Sequence, residues 1–170
     1  MTGREELLDL LDRLRNRFYG KYRGTVTEVD DATWRIKAKV PAVLRGQDSG
    51  WCMPCVPYAG VGVGFVFLPE VGAGVWIEFE GGDVSFPIWT GCYWRSGEQP
   101  ADGGPTVKAI VTKAGHKLLL DDDGETIAVS DQNQNQLSFG SDGVTVERGG
   151  KKVVVSDSAV NVNDGALEVT

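Results

Sequence analysis

Few residues in this chain have the type and spacing that chemistry requires. Cys52-Met53-Pro54-Cys55 has the spacing of half a zinc site or of a redox pair. A structural zinc takes four ligands, and the remaining candidates, Cys92 and the single histidine His116, lie far along the chain. The strand-then-helix setting of a thioredoxin motif is missing too, so buried thiols are expected. Three cysteines are an odd count and do not complete a disulfide framework. Glu78 and Glu80 are two residues apart, which on a strand is ordinary sharing of one face. His116 follows Gly115 with no second ligand or nucleophile elbow around it, the setting of a solvated turn residue. Asp121-Asp122-Asp123-Gly124 and Asn163-Asp164-Gly165 offer oxygens that suit calcium. They do not repeat the glycine-rich nonapeptide calcium pattern, and turn chemistry accounts for them without an ion. No catalytic, metal or cofactor site is predicted. A single-chain β-rich module binding carbohydrate or calcium stays open as the alternative.

The elements around these residues carry more information. The 170 residues have a net charge of −7 and include 23 glycines. An acidic surface repels phosphate backbones, which disfavours a nucleic-acid partner. Dense glycine means many tight turns between short strands. The first apolar residues are interleaved with Arg4, Glu5, Glu6 and Asp9, so no signal peptide is expected and folding would occur in the cytoplasm.

Three textures follow one another. Over residues 4–18, Leu7, Leu10, Leu11, Leu14 and Phe18 recur at spacings of three and four, one stripe of an amphipathic helix. So short a helix must dock its stripe, either on its own domain or on a partner. Residues 21–96 read as short strands punctuated by glycine. Trp34 to Val40 alternates strictly; Trp51–Tyr58, Gly64–Leu68, Val75–Phe79 and Pro87–Trp89 are further candidates. With no interior helix, these suggest a five-stranded barrel. Residues 97–105 read as a hinge.

Residues 106–170 repeat short alternating pieces between polar turns, the texture of a β-solenoid or an intertwined β-prism. Each piece offers only two or three apolar side chains on one face. Such narrow stripes do not enclose a core in one chain, whereas three chains around a threefold axis can. Val144, Val146, Val153, Val155, Val160, Val162, Leu167 and Val169 are predicted to face that axis. A monomeric meander packed on the barrel is the competing arrangement.

Residues 50–94 are denser in pattern. GWCMPCVPYAG at 50–60 leads to GFVFLPEVG at 64–72, VWIEFEGGD at 75–83 and FPIWTG at 86–91. This order resembles the barrel domain of the phage baseplate assembly protein V and tail-spike family. That family includes the valine-glycine-repeat spikes of type VI secretion and the spikes of extracellular contractile injection systems. Thr112-Lys113-Ala114-Gly115-His116, leading into Leu118-Leu119-Leu120-Asp121, resembles the family's passage into its spike repeat. The resemblance implies an all-β protein: an N-terminal helix, an oligomer-binding-type (OB) barrel, and a trimeric β-helix or β-prism needle. It implies a homotrimer seated on a baseplate hub protein in a virion or injection particle, touching the target membrane only on firing. The helix stripe would anchor the hub joint. Some relatives place a lysozyme domain between barrel and needle, for which residues 97–105 are too few. Others end in a metal-bearing His-x-His tip, which one histidine does not build. The tip-facing end would be Asn163, Asp164, Leu167, Val169 and Thr170, capped by a separate tip protein of the proline-alanine-alanine-arginine (PAAR) repeat type.

Overall fold

The computed structural model describes residues 3–170, apart from the side chains of residues 9, 10 and 12–15. The chain divides into two compact units, Met1–Gly97 and Glu98–Thr170.

The first unit opens with helix α1 (Gly3–Arg15). Glu5 and Glu6 lie in its first turn, where the exposed amide dipoles favour negative charge. The helix is shorter than the expected 4–18 stripe. Leu7 and Leu11 are exposed; Leu10 and Leu14 lie outside the described side chains. Phe18 is not part of the helix. Its N–H donates to the Gly82 carbonyl at 2.8 Å, and its ring meets Tyr22 and Phe79 edge-on, with centroids 6.2 and 6.4 Å apart. Burial against the barrel outweighs continuation of a stripe whose Leu7 and Leu11 find no cover. Arg17 fixes the same turn through Asp83 at 3.0 Å.

The barrel follows: β1 (Tyr22–Asp30), β2 (Arg35–Lys39), a one-turn helix α2 (Pro41–Leu44), β3 (Met53–Pro54), β4 (Ala59–Gly60), β5 (Val63–Gly64), β6 (Gly74–Phe79) and β7 (Pro87–Tyr93). Its sheet runs β2-β1-β6-β7-β3, with β4 and β5 forming a separate hairpin. All neighbours in the five-stranded sheet are antiparallel except β3 and β7. Cys52, just before β3, donates its N–H to the Ile36 carbonyl of β2 at 2.7 Å. That bridge brings the two ends of the sheet together, as an OB-type barrel requires.

Alternation along the strands decides the core. Val26, Ile36, Ala38, Val75, Ile77, Phe79 and Trp89 turn inward and are buried, joined by Val40, Val43 and Cys52. Gly74 has to be glycine: a Cβ there would lie 2.8 Å from the Tyr93 carbonyl oxygen and 2.9 Å from its ring.

Three local expectations are corrected. Trp34 does not begin the inward row of β2. It sits in the β1–β2 turn at φ 56°, half exposed, because Asp30 builds that turn. The Asp30 carbonyl accepts from Trp34 N–H and its carboxylate from Ala32 N–H. Helix α2 is an addition; four residues are too few to show a helical period, yet Pro41 presets the first turn and Val43 packs into the core. Of the expected strands at 51–58 and 64–68, only short pairings form. The glycines at 60, 62 and 64 fold the chain into the small hairpin, and Phe65, Val66 and Phe67 stay exposed.

The second unit is one sheet of eight strands: β8 (Val107–Val111), β9 (Lys117–Asp121), β10 (Thr126–Ser130), β11 (Asn135–Gly140), β12 (Gly143–Arg148), β13 (Lys151–Val155), β14 (Val160–Val162) and β15 (Leu167–Val169). They lie in chain order, each antiparallel to the next. Within the chain this is a meander, not the coils of a solenoid, and β8 is a strand the sequence pattern missed. Gly143 marks its tightest passage: at φ 117°, a Cβ would lie 2.1 Å from the Val155 carbonyl oxygen. Residues 100–106 are tied to the sheet, with Gly104 N–H on the Val107 carbonyl and Lys117 paired with Asp102 at 2.8 Å.

Because Ile77 is fully buried at the centre of the barrel core, Ile77→Ala is expected to destabilise that unit by about 2–5 kcal/mol. Urea unfolding followed by tryptophan fluorescence measures this.

Candidate assembly interface

The residues with chemical potential come first. Cys52 is buried, and burial pushes its thiol up, although the Ser49 hydroxyl 3.2 Å away works in the opposite direction. Cys55 is exposed and all three thiols are free. Among the described residues no group of three or more His, Cys, Asp or Glu side chains is placed to hold a metal ion. Both cysteines of the CxxC spacing bond at the barrel seam: Cys52 closes it, and Cys55 N–H donates to the Trp89 carbonyl at 2.9 Å. Asp121 and Asp131 cap their own turns. The Asp121 carboxylate accepts from Gly124 N–H at 2.9 Å. Hydrogen bonds from Asn135 and Asn133 hold the Asp131 carboxyl down at about 2.

The second unit has a different chemistry: it has no interior. No described residue beyond Trp89 belongs to the buried hydrophobic set. Its register explains where the apolar side chains go instead. Residues directly opposite across antiparallel strands share a face. Ile110, Leu118, Val129, Leu137, Val146, Val153, Val162 and Leu167 are successive partners, so they form one row across all eight strands. Leu120, Ile127, Phe139, Val144, Val155, Val160 and Val169 form a second row. The rows are two residues apart on each strand and so lie on the same face. The opposite face runs Ala109, Leu119, Ala128, Ser138, Thr145, Val154, Asn161 and Glu168, and turns polar toward the chain end.

All eight residues expected on a shared axis fall in these two rows. Val154 lies on the other face. The sequence reading missed the first half of both rows, Ile110 to Phe139. Their signal was the same alternation, obscured by bulky Leu119 and by the Lys117–Leu120 run that alternates poorly. The rows are open: Val146 is 57% exposed, Leu167 58% and Val169 59%. With strands about 4.8 Å apart, eight of them make an apolar wall about 34 Å tall. Isolated soluble chains rarely show such a patch unless it is an interface.

The expected tip-facing residues divide. Leu167 and Val169 close the two rows at the last strand. Asn163 and Asp164 instead occupy the β14–β15 turn and hook sideways onto β13: Asn163 N–H reaches the Lys152 carbonyl at 2.9 Å, and Asp164 pairs with the Lys152 ammonium at 2.7 Å. Thr170 follows β15.

Two protein-family models match the chain. The type VI secretion system/phage-baseplate injector OB domain matches residues 22–94. The phage baseplate V C-terminal trimerisation domain matches residues 108–168. The chain belongs to the phage baseplate V family. The first range covers the barrel strands and the second covers the eight-stranded sheet except its end residues Val107 and Val169, and a trimerisation domain supports a homotrimer. No individually curated protein matches the chain significantly.

The two faces give a paired prediction. Val153→Lys places a charge in the apolar row and is expected to cost the assembly about 3 kcal/mol or more. Val154→Lys, one residue along on the opposite face, is expected to stay within about 0.5 kcal/mol of the parent. Thermal unfolding at matched concentration separates them.

Proposed function

We propose that three copies of this chain form the central spike of a contractile tail baseplate, in a phage or a phage-like injection particle. The observation that carries this reading is the folded sheet with no core. Its backbone is hydrogen-bonded throughout while fifteen apolar side chains of one face (two rows, Ile110 to Leu167 and Leu120 to Val169) await cover. Three such walls around a threefold axis bury one another's rows and leave the opposite, mixed faces outside. The product is a closed, narrow prism suited to pierce a membrane when the sheath contracts.

The barrel has its own buried core and needs no partner to fold, so its surface is free for attachment to the hub. Exposed Leu7 and Leu11 on α1 support a role for the helix at that joint, while Phe18 follows the helix and packs on the barrel. The exposed outer edge of β15, the last strand of its sheet, suits a separate capping protein of the PAAR-repeat type. The role is mechanical, and nothing in the described side chains favours the carbohydrate- or calcium-binding alternative.

Light scattering over a dilution series tests the reading. A mass near three times 18.3 kDa that persists on dilution is expected; a stable monomer would overturn the spike. A variant lacking residues 3–15 is expected to remain a folded trimer and to lose co-purification with the hub. Loss of folding would instead place the helix in the barrel's own stability.

A further inference from the structure

The two lateral edges of the eight-stranded sheet carry opposite charge. In a meander the turns alternate between edges. The turns β9–β10, β11–β12 and β13–β14 share one edge; the turns β8–β9, β10–β11, β12–β13 and β14–β15 share the other. The first edge holds Asp122, Asp123, Glu125, Asp142 and Asp157, with Lys108 engaged by Asp122. The second holds Lys113, Lys117, Arg148, Lys151 and Lys152, with Asp131, Glu147 and Asp164 among them.

Internal pairing sharpens the contrast. On the second edge, Asp131 is committed to Asn133 and Asn135, Asp164 to Lys152, and Lys117 to Asp102. What remains there is net cationic: Lys113, Arg148 and Lys151 against the single carboxylate of Glu147, which lies across from Lys152. On the first edge what remains is anionic: Asp123, Glu125, Asp142 and Asp157. Among the described residues, the side chains of Asp142, Asp157, Arg148 and Lys151 make no hydrogen bond or ion pair within the chain, and all four are exposed.

We propose that the three sheets close edge to edge, the acidic edge of each chain against the basic edge of the next. The proposal rests on the trimeric reading above, in which the threefold axis follows the stacking direction of the strands. Rotation about such an axis brings unlike edges together at every corner and never like edges, because the contact is heterologous. Pure rotation also keeps every strand at the same height in all three chains. The β11–β12 and β13–β14 turns then lie just below and just above the level of the partner's β12–β13 turn. Asp142 and Asp157 of one chain thus flank Arg148 and Lys151 of its neighbour. The apolar rows supply the association energy. The edges select the order of the walls and their level, since a slip by one strand moves acid away from base.

The test uses the full chain in three forms: Asp142→Lys with Asp157→Lys, Arg148→Glu with Lys151→Glu, and all four substitutions together. Circular dichroism checks that each retains its strand content; these exposed turn-edge positions leave the fold intact. Analytical ultracentrifugation reads the concentration at which the trimer dissociates. Each one-edge variant juxtaposes like charges at three corners and is expected to dissociate at a concentration at least about tenfold higher than the parent in low salt. The loss should shrink in 1 M salt, and the fourfold variant should return toward the parent. A parent trimer with unaffected one-edge variants, or a fourfold variant no better than either, would overturn the edge pairing while leaving the spike. A parent that is not a trimer would overturn the spike itself.

Discussion

An apolar face with nowhere to go is the constraint on which this protein depends. A twisted antiparallel sheet can have one solvated face, but the other must be covered. In most small β-proteins a second sheet of the same chain does this. Here the second unit is a single meander in strict sequence order, with no second sheet layer of its own among the described residues. Phe139, Val146, Val155 and Leu167 stay open to solvent in one copy. The same topology that satisfies every neighbouring backbone ladder therefore leaves that face uncovered within the unit, and the threefold assembly proposed above would cover it.

The barrel solves its problem in the opposite way. Its inward residues meet across one closed surface, with the seam made by Cys52 on Ile36 and the open side reinforced by Phe18, Tyr22 and Phe79. Its outer surface carries aromatic groups held by cations from neighbouring strands: Arg23 lies over both Trp76 and Tyr93, and Lys37 over Trp51. These pairs satisfy rings that would otherwise read as a stacking platform for bases. A unit with its own buried core, in one chain with a sheet that has none, suits the collar and point of the proposed spike.

The contrast also explains what was legible in the sequence. Valines two residues apart at 144 and 146, 153 and 155, and 160 and 162 announce strand faces directly, because a period of two has only two phases. The barrel's alternation at 35–40 and 75–79 was equally plain. Trp34 misled because its apolar character fits the alternation while its backbone answers to Asp30, a turn signal four residues back. Phe18 misled in the same way, matching a helical spacing but belonging to a contact with Phe79, sixty residues on. The one-turn helix carrying Val43 has no period to detect. Partnering between edges is invisible until the register is known, since only the register shows that Asp142 and Arg148 lie on opposite sides of one sheet.

The choice of valine along the second unit also bears on mechanics. Antiparallel hydrogen bonds run perpendicular to the strands, so in a prism of stacked strands they run along the axis of thrust. No covalent bond follows that axis except through the turns. Resistance to compression and bending then falls on the hydrogen-bonded ladders and on the packing between walls, acting in parallel. Val144, Val146, Val153, Val155, Val160 and Val162 are β-branched and hold essentially one χ1 rotamer, whereas leucine or methionine would fill the same space with softer side chains. Bending a closed prism requires one corner to open while another is compressed. Stiff interdigitated rows resist the compression, and the charged edges would oppose the opening. A short polar turn at each corner adds no slack. In the proposed trimer the sequence would thus trade an independent fold for a column whose strength appears only when three copies meet.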